Sequence, residues 1–115
     1  EVADARLDQA LAQYEQTLLQ AMQDVETALV NLDRERRRAA DIAAAVDAAS
    51  LTRTLARTRY ARGLADYFAV IDAQRALQSS EDALAVSRTA CVQHLVALYK
   101  ALGGGWTEES ALAAQ

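Results

Sequence analysis

The stretch Arg59-Tyr60-Ala61-Arg62-Gly63-Leu64-Ala65-Asp66-Tyr67 holds the first glycine of the chain, and no proline occurs anywhere in it. Glycine reaches the left-handed conformation that ends a helix, and an aspartate three residues on can cap the next one. The nine residues therefore predict a tight reversal between two helices. Upstream, apolar residues recur at alternating steps of four and three: Leu7, Leu11, Tyr14, Leu18, Ala21, Val25, Ala28 and Leu32. After a polar step at Glu35 the same register resumes with Ala39, Ile42, Val46 and Ala49, then Ala56 and Tyr60. A seven-residue repeat held through more than seven heptads predicts one continuous helix over about 3–62 with a narrow apolar seam. At 1.5 Å per residue it would span roughly 90 Å. Downstream, a returning helix is predicted over about 67–102, with Phe68, Ile71, Leu77, Leu84, Cys91, Leu95, Leu98 and Leu102 on or near one stripe. Gly103-Gly104-Gly105 ends it.

Composition leads to the same class. Of 115 residues 27 are alanine, four are glycine and five per cent are aromatic, which favours helix over sheet. Alanine buries little surface but lets helix axes approach closely, so thin packed helices are expected rather than a thick core. The fold class predicted is all-α: a long antiparallel helical hairpin, with one arm nearly twice the other. The hairpin domain is expected to occupy residues 1–106, with tip turn 63–66 and a C-terminal tail at 107–115. Half of the longer arm has no partner within the chain, so its apolar seam predicts a helix supplied from elsewhere.

A net charge of −4 argues against nucleic acid as a partner, because phosphate binding needs a basic surface. The local exception, Arg34-Glu-Arg-Arg-Arg38, reads either as a solvated helix face or as a contact for a membrane surface or acidic partner. No apolar run reaches the roughly 18 residues of a transmembrane helix. Glu1-Val-Ala-Asp-Ala-Arg6 is unlike a signal peptide, so the chain is expected either to be cytosolic or to have its export signal outside these residues. The single cysteine, Cys91, excludes an intrachain disulfide.

Signatures of catalysis are scarce: no Gly-rich phosphate loop, no nucleophile elbow and no His-Glu-x-x-His motif. No enzyme activity and no cofactor are expected. Cys91 and His94 lie three apart and could offer two metal ligands, but two do not complete a site, and no metal is expected. Asp66 and Asp72 would have to converge in a pocket to act as an acid and base, and a hairpin tip has none. Asp66 reads as a cap. Asp72 falls among Val70, Ile71 and Ala73 and needs another explanation.

The segment Arg59-Tyr-Ala-Arg-Gly-Leu-Ala-Asp-Tyr-Phe-Ala-Val-Ile-Asp-Ala-Gln-Arg75 resembles the tip region of bacterial outer-membrane channels of the tolC and nodulation-protein-T type. Ala97-Leu-Tyr-Lys-Ala-Leu-Gly-Gly-Gly-Trp106 resembles the close of that family's channel domain, and Asp4-Ala-Arg-Leu-Asp-Gln-Ala-Leu-Ala-Gln-Tyr-Glu-Gln16 the helix that leaves its β-barrel. The resemblance implies a homotrimer in which this chain is one hairpin of a periplasmic α-barrel. It also implies a passive export conduit of a tripartite efflux system, in the bacterial outer membrane, with a periplasmic adaptor (membrane fusion protein) and an inner-membrane transporter as partners. By the same resemblance, the tip Arg62, Gly63, Leu64, Ala65 and Asp66 docks the adaptor. Phe68, Asp72 and Arg75, at i, i+4 and i+7 on one helix face, form the channel constriction and gate. Some family members carry a second acidic residue three before that aspartate, where this chain has Ala69, so a single acidic ring is expected. The cargo is left open. The alternative reading is a soluble coiled-coil scaffold or tether, and for Asp72 and Arg75 an ordinary i, i+3 surface pair.

Overall fold

The computed structural model describes residues 2–103; the Gly104-Gly105-Trp106 end of the family resemblance and the expected tail at 107–115 lie outside the described residues. It is all-α, with α1 at Val2–Ala61 and α2 at Tyr67–Ala101. Nothing in the sixty residues of α1 breaks the backbone ladder, since glycine and proline are absent. Its side-chain hydroxyls do not compete with that ladder either: Thr17, Thr52, Thr54 and Thr58 each donate to the carbonyl four residues back, at 2.8–3.0 Å. No described helix is long and apolar enough to cross a membrane.

The turn follows its local chemistry. Gly63 has φ +71° and occupies the position just past the helix. Its N–H donates to the Tyr60 carbonyl at 2.9 Å, and the Leu64 N–H reaches back to the Arg59 carbonyl at 2.9 Å. Two otherwise orphaned carbonyls are satisfied by this left-handed C-terminal motif. A Cβ at Gly63 would meet nothing within 4 Å, so the backbone angle alone demands glycine there. The Ala69 N–H donates to Asp66 Oδ1 at 3.0 Å, which makes Asp66 the N-cap of α2. At the other end of α2, Gly103 has φ +79° and donates to the Lys100 carbonyl at 3.0 Å.

Two compact units share the chain. One holds Asp33–Gln93, in which the second part of α1 and most of α2 form an antiparallel hairpin. The expected α1 seam is covered here from Glu35 to Ala56, with Glu35, Ala39, Ile42, Val46, Ala49 and Ala56 all half-buried, but its last expected member, Tyr60, is exposed where the helices part at the turn. Position 53 continues the register with an arginine, which the apolar pattern had passed over. Arg53 is half-buried, its aliphatic stem suited to the apolar seam.

On α2 the seam differs from the expected stripe. It runs Val70, Ala73, Leu77, Ser80, Leu84, Ser87 and Cys91, again in steps of three and four, with Ala73, Leu77 and Ser87 buried. Phe68 is instead 74% exposed. The reason is steric: close-packed helices take small or moderate residues along the contact line, and serine fits where phenylalanine does not. Ser87, 2% exposed, donates its hydroxyl to Glu35 Oε1 at 2.6 Å, so the polar step in α1 meets a buried polar step in α2.

Among the described residues the other unit holds 2–32 and 94–103. Within it Val25, Ala28 and Asn31 are half-buried and Leu32 is 6% exposed, while His94, Leu98 and Ala101 are half-buried on α2. Leu95 and Leu102, expected on the stripe, are exposed. From residue 3 to 24 every residue of α1 is exposed, the seam residues Leu7, Leu11, Tyr14 and Leu18 by 50–68%.

Candidate functional site

The tip is built by the turn and the residues on either side of it. Arg62, Gly63 and Asp66 are exposed, Leu64 is 72% exposed, and Ala65 is half-buried. Leu64 is thus a large apolar side chain held in solvent on a backbone that two hydrogen bonds fix.

Phe68, Asp72 and Arg75 lie on one face of α2, turned away from its seam, and all three are exposed. Among the described residues Asp72 and Arg75 form no ion pair, with each other or with any other group. The i, i+3 surface pair that their spacing allows is therefore not made. Arg75 instead lines a groove of about 490 Å³ with Arg57, Tyr60, Tyr67, Val70 and Ile71. The Tyr60 and Tyr67 rings meet across the turn, centroids 5.3 Å apart at 58°, an edge-tilted geometry favoured by aromatic quadrupoles. Tyr67 follows directly on the Asp66 cap, and that place is the sequence signal for its position at the turn.

The other expectations fall as follows. Arg34, Arg36, Arg37 and Arg38 are exposed; Arg37 pairs with Asp33 at 3.0 Å and Arg38 lies 3.9 Å from Glu35. Cys91 and His94 are each half-buried on the α2 seam. Among the described residues no group of three or more His, Cys, Asp or Glu side chains could hold a metal ion.

On the longer helix of this hairpin the heptad residues Leu7, Leu11, Tyr14 and Leu18 stay exposed. The model of the outer membrane efflux protein family matches residues 1–104, and the chain belongs to that family. It is 36% identical over 111 residues to the outer membrane protein OprJ of Pseudomonas aeruginosa, a match covering 96% of this chain and 23% of OprJ. To the pyoverdine export outer membrane protein OpmQ of Pseudomonas putida it is 35% identical over 113 residues, 96% of this chain and 23% of that protein. Among solved structures, the outer-membrane channel OprN matches with a TM-score of 0.74 at 34% identity, over 90% of this chain and 23% of that one. The chain thus spans about a quarter of the length of these relatives.

Proposed function

We propose that this hairpin is part of the wall of a trimeric periplasmic α-barrel, the export conduit of a tripartite efflux system in the bacterial outer membrane. The conduit is passive and not an enzyme. An inner-membrane transporter drives export, and a periplasmic adaptor docks at Arg62, Gly63, Leu64, Ala65 and Asp66. The observation that carries this reading is the membership in the efflux family, whose match extends over the whole of both helices. It favours a channel wall over a free coiled-coil scaffold. The uncovered seam of α1 supports it, because a wall helix needs a neighbour along its full length.

Phe68, Asp72 and Arg75 form the gate. Each trimer would carry Asp72 three times about its axis, where like charges resist approach unless a cation or an arginine lies between them. Asp72 and Arg75 are exposed and unpaired among the described residues, which supports partners on neighbouring helices. Opening then requires those pairs to break as the helices move apart. The test is single-channel recording of the full-length protein in planar bilayers. Asp72→Ala and Arg75→Ala are each expected to raise the conductance of the closed channel, and wild-type conductance in both variants would remove the gate.

A further inference from the structure

The end of the hairpin near the turn is short of carboxylates. Between residues 53 and 75 there are five arginines, at 53, 57, 59, 62 and 75, against Asp66 and Asp72, a net +3 on a chain of −4. Asp66 Oδ1 is committed to the cap, and among the described residues none of the five arginines is ion-paired. Farther from the turn the same residue type behaves differently, since Arg37 and Arg38 each have a carboxylate within 4 Å.

Arg53 carries the sharpest imbalance. It is half-buried on the α1 seam, and its Nε is buried with no acceptor. Withdrawing a guanidinium from water costs free energy that packing its stem does not return, whereas a carboxylate on any of its three nitrogens offsets that cost. Arg57 lies one turn on along the same face, where like charges repel, and among the described residues neither arginine is paired with a carboxylate. A second copy of this hairpin is a poor source of the missing charge. It would bring +3 of its own, and its carboxylates at this level are the cap Asp66 and Asp72, which is assigned to the gate. The chain spans about a quarter of its relatives' length, so a channel wall built from such proteins contains helices from outside these residues. We infer that the helix seated beside α1 at Arg53 and Arg57 is acidic, a segment of the full-length protein outside residues 1–115 that places a carboxylate on Arg53. This rests on the channel-wall reading and adds to it the charge of the neighbouring helix and the residue that meets it. Arg75 stays with the gate and Arg62 with the docking tip.

The experiment is heat unfolding of the purified full-length channel, followed by far-UV circular dichroism at a fixed scan rate. It is run at about 50 and about 300 mM salt, where screening lengths differ more than twofold. Arg53→Glu is expected to lower the midpoint by about 3 °C or more at low salt and by less at high salt. Arg53→Met keeps the stem and removes the charge, and should lower it by a smaller amount. Each Asp and Glu of the helices outside residues 1–115 is then changed singly to Arg in the Arg53→Glu background. One such reversal should restore about half or more of the lost shift while being harmful on its own, as a direct charge pair requires in a double-mutant cycle. If Arg53→Glu yields no trimer, the same reversals are read as recovery of trimer on size exclusion. Midpoints at or above wild type in both Arg53 variants would overturn the acidic neighbour and leave the channel wall standing. A loss that no reversal restores overturns it equally, and restoration by Asp72→Arg instead would seat a second copy of this hairpin there. If the wild-type full-length protein is not a trimer, the wall reading falls and this inference with it.

Discussion

One heptad in α1 has two fates. From Val25 to Ala56 every seam position is half-buried or buried, Glu35 and Arg53 included. At Leu7, Leu11, Tyr14 and Leu18 the same register carries larger apolar side chains, yet they are half exposed or more. Hydrophobic periodicity thus defines a face and not its partner; burial follows only where a second helix lies alongside. The exposed half is the more hydrophobic per position, which is the composition of a contact completed by another segment.

The comparison breaks first at Leu77, 3% exposed on the α2 seam. Leu77→Ala is expected to cost about 2–5 kcal/mol in urea unfolding of the chain, since it removes contacts and leaves a void. Leu11→Ala, at an exposed seam position, should change the same measurement by less than about 0.5 kcal/mol. In the full-length protein Leu11→Ala should become costly if a neighbouring helix covers that seam. Equal, small effects in both settings would show that the first half of α1 never acquires a partner.

The polar layer sharpens the same contrast at the covered end. Glu35→Ala leaves the buried Ser87 hydroxyl without its acceptor and is expected to destabilise by about 1–3 kcal/mol. The double change Glu35→Leu with Ser87→Ala should recover much of that loss, because apolar groups leave no orphan behind. Thermal melting of the two variants beside wild type decides it. A smaller loss than at Glu35 is expected at the turn, where Asp66→Ala removes one cap hydrogen bond and should cost about 1 kcal/mol. A loss several times larger would mean that Asp66 makes contacts beyond the cap.

Much of this fold was legible because its signals are local. A glycine at 63, an aspartate three residues later and an unbroken heptad each act within a few residues of themselves. The α1 seam was therefore readable at Val25, Ala28, Leu32, Ile42 and Val46. Its counterpart on α2 was readable in part: Leu77, Leu84 and Cys91 lie on it, whereas alanine and leucine occur on every face of that helix, so Ala73, Ser80 and Ser87 carry no periodic signal of their own. Exposed Phe68, Leu95 and Leu102 are the result. At the tip, the spacing of Phe68, Asp72 and Arg75 correctly placed them on one face. That Arg75 and Arg57 line one groove with two tyrosines could not be read, because it joins residues 18 positions apart through the turn.

The sequence by itself determined two helices, the site of their reversal and which line of α1 is apolar, since propensity, capping and the left-handed turn are properties of short segments. Which line of α2 meets it, the hydrogen bond between Glu35 and buried Ser87, and the open groove lined by Arg57 and Arg75 emerge only when the two helices pack. Those depend on the register between two helices, which the turn geometry and close packing set jointly and no single segment encodes.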